Sequence, residues 1–510
     1  MLVMMVVLAL FFAMVLLLTS LINDHKHLTN ILFMAGILSP ALIFIFHSTP
    51  VDIDMVVGGW QPISGIAIGL DNYSRYFLVA ELIVFGIVGF YSLFYYQDEP
   101  RKNKFFGLIL IMHAGMMGVF LSKDLFNIFV LMELASASAF ALVAFSGGER
   151  AQKAAFRYLI FSIIASYLFL LSIGIIYANT GSLNFELIRE NITRSREIDI
   201  AIALAFTAMI LKTGIFPLHF WLPDVYSESD TPICALLAGM TRRAPIYAML
   251  LFTIYLPMNH LSQLLMIVAF ASIFFGFIMA MFQNDVWRLL AYASIGLMGI
   301  VLVGIATENF MGVTYYVFAH AIVTVGLFLT TGTISDQQKT RNIRDLTYRH
   351  HMLIFISVIM LSFALGSMSP SLNAYAKNEL LIGLSRMEAF LFQSAFVLAL
   401  LIMFKMNYLL WHGGYDKQLD TRVTPRSFIS AIPAALSIAL GIYLYPTLVL
   451  VDILLLGAAG ALFFLFLSMN MLEYTGIEKL GERFKDLPTT NNFYFMVYFG
   501  FLVVFLLYTF

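Results

Sequence analysis

The sequence predicts an all-α, polytopic membrane protein of about fourteen to sixteen transmembrane helices. Composition is the first reason. Of 510 residues, 61% are hydrophobic and 12% charged, whereas a soluble domain carries about 25% charged residues. The second reason is arrangement. Apolar residues arrive in continuous runs, not in the one-sided stripes of a helix packed on a soluble core. The third is length, since most runs reach the roughly 20 residues that cross a bilayer. A net charge of -1 does not suggest nucleic acid as a partner. The partners expected are the lipid bilayer and other membrane chains.

Spans are expected near residues 1–22, 27–47, 75–95, 103–122, 124–146, 155–178, 199–216, 231–257, 262–284, 287–306, 309–333, 350–385, 388–412, 427–470 and 491–510. The first run lacks a basic start and a small-residue cleavage site, so it reads as a retained helix and not a signal peptide. Gly366 and Pro370 break the 350–385 run, and Pro446 divides 427–470. The polar segments 48–74, 179–198, 335–349 and 471–490 are too short to fold alone. Four parts follow: N-terminal helices in 1–102, a five-helix block in 103–257, a second in 262–412, and C-terminal helices in 413–510.

Basic residues orient the chain. One alternate set of connections holds Arg101, Lys102, Lys104, Arg150, Lys153, Arg288, Lys339, Arg341, Arg344, Arg349, Lys417, Arg422 and Arg426. The other holds mainly Lys123, Arg189, Arg194, Arg196 and Arg386. The richer set is placed in the cytoplasm, which puts the N-terminus outside. An odd number of spans per block inverts the second block relative to the first. The fourth helix of each block is interrupted, at Gly214 and Pro217 and again at Gly366 and Pro370, so the seventh and twelfth helices are broken. Paired broken helices point to an ion site in a transporter, because freed backbone groups are tolerated only inside protein or beside water.

Ionisable residues at mid-bilayer cost several kcal/mol unless paired or hydrated, which makes each a functional candidate. Glu133 lies about nine residues into its helix, Lys212 at the first break, and Lys377 at the second. Burial disfavours an ammonium while a nearby carboxylate favours it, so a lysine between those influences can load and release a proton. The plainer alternatives are a structural ion pair for Glu133 and snorkelling to an interface for Lys377. His320, near the middle of the eleventh helix, and His219 carry imidazoles, which titrate near pH 6.5 and suit a relay. His219 also sits beside Trp221, Pro223 and Asp224, which suggests a structured turn. Arg242 and Arg243 fall near the middle of the eighth helix. Adjacent helical residues point about 100° apart, so both cannot face one partner. Arginine does not deprotonate in a protein, so these are fixed charges or gates and not proton carriers.

A single cysteine, Cys234, excludes a disulfide, a Cys-ligated iron–sulfur cluster and a CxxC pair within the chain. No HExxH spacing or glycine-rich nucleotide loop is present. No cofactor, metal or catalytic residue is expected.

Several stretches then resemble a known family. KDLFNIFVLMELASASAFALV (Lys123–Val143) and LKTGIFPLHFWLPDVYSESDTPICALLAGM (Leu211–Met240) are similar to the fifth helix and the broken-helix block of antiporter-like membrane subunits. These subunits are shared by respiratory complex I, Mrp-type cation/proton antiporters, and membrane-bound hydrogenase and sulfane reductase complexes. GLDNYSRYF (Gly69–Phe77), HAIVTVGLFLTTG (His320–Gly332) and Pro370–Lys377 match as well. The resemblance covers about residues 65–415. It implies inverted five-helix repeats and a mid-membrane chain of protonatable groups. Glu133 falls on the family's fifth-helix glutamate and Lys212 on its seventh-helix lysine, a pair that switches the lysine's proton affinity. His320 falls on the central histidine and Lys377 on the terminal position of the twelfth helix. Asp71, Asp124, Asp224 and His219 are accessory.

This sequence also departs from the pattern. Arg243 stands where the family has a lysine, Pro245 where a glycine follows it, Thr324 where some members carry a lysine, and Arg157 at a sixth-helix lysine position. Three readings stay open. The chain is an ion-translocating subunit (proton, with or without sodium coupling) of a redox-driven complex with a peripheral iron–sulfur arm. Or it is a subunit of a cation/proton antiporter with no redox partner. Or it is a structural or coupling unit whose proton path Arg243 interrupts. Each places it in the cell membrane beside further antiporter-like subunits.

Overall fold

The computed structural model describes residues 2–22, 26–46, 53–60, 65–258, 261–414, 423–445 and 449–469. The span expected at 491–510 and the polar segment 471–490 lie outside them. In chain order the helices are α1 (Leu2–Ile22), α2 (Lys26–Phe46), α3 (Asn72–Tyr95), α4 (Lys102–Leu121), α5 (Leu125–Phe145), α6 (Gly148–Thr180), α7 (Phe185–Asn191), α8 (Arg196–Thr213), α9 (Leu222–Glu228) and α10 (Thr231–Leu236). They continue as α11 (Arg243–Tyr255), α12 (Leu261–Met281), α13 (Val286–Ala306), α14 (Phe310–Gln338), α15 (Met352–Leu365), α16 (Leu372–Leu381), α17 (Arg386–His412), α18 (Pro425–Leu444) and α19 (Leu450–Ser468). One antiparallel hairpin, β1 (Ile53–Val56) with β2 (Ala67–Leu70), precedes α3.

Twelve helices among the described residues are long and apolar enough to cross a membrane, so the chain is an all-α, multi-pass membrane protein. The higher count expected from sequence included three stretches built differently. α8 carries Arg196, Glu197, Asp199 and Lys212. The 350–385 run is α15 and α16 with a break between them. The eighth span, expected as one helix over 231–257, is α10, a π-helical turn at Leu237–Thr241, and α11. Pro245 accounts for part of that division. It has no N–H to give to the preceding turn, and a proline is tolerated in the first turn of a new helix. The 427–470 run is two helices, α18 and α19.

The chain forms two compact units. The first holds Met1–Thr213 and Glu228–Ser262. Within it α4 packs on α1 and α5, and α8 packs on α6 and α11. Its helix starts are written in the sequence. Asp71 and Ser74 form a capping box at α3, and Asp124 accepts from the Asn127 amide at α5. Outward positions stay apolar, with Phe11, Phe156 and Tyr167 at least half exposed, as suits lipid contact.

The second unit holds Gly214–Ser227 and runs on from Gln263. α13 is its innermost long helix, apolar and buried along its length. α14 packs on α13, α15, α16 and α18, and α17 packs on α19. The unit opens with the first helix break. Gly214 has φ +69°, a left-handed conformation, and a side chain there would meet Leu222 at 2.7 Å. The stretch read as a turn at Trp221, Pro223 and Asp224 starts the short helix α9, with Pro223 in its first turn.

Candidate functional site

In the first unit, α5, α6 and α8 bring three side-chain types together. Lys212, next to last in α8, donates from Nζ to Glu133 Oε1 at 2.7 Å and to the Ser162 hydroxyl at 3.2 Å. The Ser166 hydroxyl lies 2.5 Å from the same Glu133 oxygen and 2.7 Å from the Ser162 carbonyl, so its one proton is shared between them. Lys212 is 5% exposed at its side chain and Glu133 33%. The lysine therefore has no solvent of its own. The carboxylate beside it keeps an open side. Such a pair is set by separation. While the carboxylate stays near, the ammonium is stabilised; if it moves away, the buried charge loses its partner and the proton is easier to release.

Two arginines stand where the π-helical turn meets α11. Arg242 donates from Nε to the Thr213 carbonyl at 2.7 Å, and Arg243 donates to the Ala238 carbonyl in the π-helical turn. Each is buried and holds a different backbone oxygen.

The second unit holds another lysine–carboxylate pair. Lys377, on α16, is paired with Asp452 in the first turn of α19, and both side chains are at most 3% exposed. Lys377 also donates to the Ser367 carbonyl at 2.9 Å. The other Asp452 oxygen accepts the Ser369 amide at 3.0 Å and the Ser369 hydroxyl. The snorkelling alternative for Lys377 is corrected by this burial. Sequence reasoning missed Asp452. The signal was present, because an aspartate in the apolar run LVDILLLGAAG carries the cost that singled out Glu133.

His320 is buried on α14. Its ring nitrogens lie 3.2 and 3.3 Å from the hydroxyl of Thr324, one turn on, which also bonds the His320 carbonyl at 2.7 Å. His219 lies among aromatic rings, with Phe220 and Phe275 centroids each 4.6 Å away. Asp224 accepts from Arg288 at 2.6 Å. Asp71 caps α3 and is paired with Lys123. Burial pushes its carboxyl up, but the charge of Lys123 and hydrogen bonds from Lys123 and Ser74 outweigh that and hold it below the usual carboxylate value. Asp124 caps α5, and burial raises its carboxyl. Arg157 is exposed on α6. Lys405, also missed from sequence, is buried on α17 and donates to the Met281 and Gln283 carbonyls at 2.5 and 2.8 Å, which closes the end of α12.

The family model for the transmembrane region of NADH:quinone oxidoreductase/Mrp antiporter proteins matches residues 122–403, more than half of the chain. The chain belongs to this family. NADH-quinone oxidoreductase subunit N of Desulforudis audaxviator is 31% identical over 437 residues, covering 82% of this chain and 86% of that protein. A Na(+)/H(+) antiporter subunit of Alkalihalophilus pseudofirmus is 27% identical over 379 residues, covering 72% and 76%. A chain of the archaeal membrane-bound sulfane sulfur reductase shares the family fold with a TM-score of 0.79 at 23% identity, covering 90% of this chain and 96% of that one. Asp452 lies beyond the region that the family model matches.

Proposed function

We propose that this chain is an ion-translocating, antiporter-like subunit of a multi-subunit membrane complex. It moves protons along Glu133, Lys212, His320 and Lys377, with Asp452 as the partner of Lys377. The observation that carries the reading is the Lys212–Glu133 contact of 2.7 Å at a helix end, with Ser162 and Ser166 around it. Arg242 and Arg243 serve as fixed charges. His219, Asp71, Asp124 and Asp224 are accessory. The two five-helix blocks, 103–257 and 262–412, stand as inverted repeats in this reading. The driving force is electron transfer in partner subunits, through a peripheral iron–sulfur arm; this chain performs no redox step.

The second reading is a subunit of a cation/proton antiporter without a redox partner. Its support is the likeness to the Na(+)/H(+) antiporter chain of Alkalihalophilus pseudofirmus. One experiment separates the two: proton and sodium uptake by the purified native complex in sealed liposomes, wild type against Glu133→Gln, with co-purifying subunits identified. Uptake that needs an electron donor and is lost in the variant supports the redox-driven pump. Uptake driven by an imposed ion gradient alone supports the antiporter. Equal uptake by the variant overturns the relay. An interrupted path at Arg243 is tested by Arg243→Lys, which raises transport if the arginine blocks the relay and abolishes it if the guanidinium is an essential fixed charge.

A further inference from the structure

A second couple of titratable side chains lies in the first unit and takes no part in the site above. Glu81 on α3 and His113 on α4 are hydrogen-bonded through Oε1 and Nδ1, and both side chains are 0% exposed. The His113 ring also lies on Phe85, centroids 4.6 Å apart. Glu81 Oε2 and His113 Nε2 are buried and meet no hydrogen-bonding partner among the described residues. A couple that only tied two helices would be cheapest when fully satisfied, since low dielectric penalises each open polar atom. Here half of the hydrogen-bonding capacity is open on both partners.

Its level in the fold is fixed by a close approach. Gly115 packs against α5 so tightly that a Cβ there would come within 2.9 Å of the Leu131 carbonyl oxygen and the Ala135 amide nitrogen. Those two residues flank Glu133. His113 is two residues before Gly115, about 3 Å along the axis and about 200° around it. Glu133 is likewise about 200° round α5 from Leu131, so it and the Glu81–His113 couple share one level but face away from each other, with α4 and α5 between them.

We propose that Glu81 and His113 form a proton-binding couple that charges and discharges in step with the Glu133–Lys212 pair; this rests on the relay reading. At rest the couple holds one titratable proton between Oε1 and Nδ1 and is neutral overall. In that neutral state His113 Nε2 already carries the ring's own hydrogen, so a second proton binds at Glu81 Oε2, giving a carboxylic acid beside an imidazolium, and leaves by the same oxygen. No oxidant or reductant is involved. The positive state, across α4 and α5 from Glu133, favours the ionised carboxylate there through the low-dielectric interior and keeps the Lys212 pair closed. Discharge removes that bias.

The test uses the intact complex in sealed liposomes, comparing wild type, Glu81→Gln and Glu133→Gln. Glutamine keeps the volume of Glu81 and a hydrogen bond to His113 but cannot exchange a proton. The expected result is at least a tenfold fall in proton uptake with unchanged partner subunits. A buried-carboxyl infrared band that changes during transport in wild type should also be missing from Glu81→Gln. Wild-type uptake by Glu81→Gln, with Glu133→Gln inactive, overturns the couple alone and leaves a helix tie. Wild-type uptake by Glu133→Gln overturns the relay reading instead. If Glu81→Gln does not assemble, His113→Gln takes its place with the same two readouts. Failure of both to assemble overturns the proposal in favour of a structural tie.

Discussion

Arg242 reaches from Nε to the carbonyl oxygen of Thr213 at 2.7 Å, closing the end of α8 directly beside Lys212. The last carbonyls of a helix have no partner within it, and that end carries partial negative charge. A permanent guanidinium there answers both needs without ever releasing a proton. Removing it in Arg242→Met leaves a buried carbonyl unsatisfied, at a cost of about 1–3 kcal/mol. The expected outcome is a lower apparent melting temperature of the purified complex and slower proton uptake. Arg242→Lys keeps the charge and should recover part of the stability. An unchanged melt for Arg242→Met would show that Thr213 finds another donor.

Lys377 and Asp452 are each nearly closed off from solvent, so neither tolerates the loss of the other. Breaking a buried pair from one side costs about 3–5 kcal/mol, whereas replacing both charges by apolar groups is often neutral. Asp452→Ala is therefore expected to impair assembly severely. The double variant Lys377→Met with Asp452→Leu should assemble but not transport. Asp452→Asn keeps an oxygen for the Ser369 contacts but turns an amide NH2 toward Lys377, so it removes both the charge and the acceptor of the ammonium. Melting and uptake measured across this cycle separate the pair's structural share from its transport share.

Much of this was legible in the sequence because charge in an apolar run is costly wherever it falls. Glu133 and Lys212 stood out in that way, and their neighbouring motifs placed them on the fifth and the broken seventh helices. Pro217 and Pro370 likewise marked the two breaks. Asp452 obeys the same rule, but its partner is 75 residues away and nothing local couples them. Glu81 and His113 are 32 residues apart, and each looks like a lone polar residue until α3 and α4 are packed. The π-helical turn at Leu237–Thr241 was only partly legible: Pro245 removes the N–H that would meet Thr241, but the turn's own small and apolar residues would suit an unbroken helix equally well.

Asp71 gives a pH-dependent prediction outside the spanning segments. Its carboxyl is held below the unfolded value of 3.8, because the charge and hydrogen bonds of Lys123 and Ser74 outweigh the opposing effect of burial. A depressed carboxylate contributes stability above its unfolded pKa and loses it as pH falls through the folded one. The contribution is thus complete at neutral pH, begins to fall away near about pH 4 and is gone once pH has passed below the depressed folded value. Asp71→Asn should lower the melting temperature at pH 7 and flatten its fall between about pH 5 and pH 3. Parallel wild-type and variant curves over that window would remove Asp71 from the acid response.

Lys212→Ala is expected to abolish proton uptake while the complex still assembles, and the reason lies in the unequal exposure of the pair. Glu133 is one-third exposed at its side chain and lies 2.5 Å from the Ser166 hydroxyl. Losing the lysine therefore leaves a carboxylate that is still hydrogen-bonded to Ser166 and only partly enclosed by protein, and not a fully buried charge with no partner. The stability penalty should fall well short of that for breaking the Lys377–Asp452 pair. The relay, in contrast, loses the group whose ammonium the Glu133 carboxylate holds. Lys212→Arg makes the same point from the other side: it keeps the positive charge and the contact but cannot release a proton at physiological pH. Uptake by liposome-reconstituted complexes should be lost in both variants, with subunit composition unchanged on gel filtration. If Lys212→Arg transports normally, positive charge alone is what the site requires, and Lys212 acts on the proton path without carrying a proton.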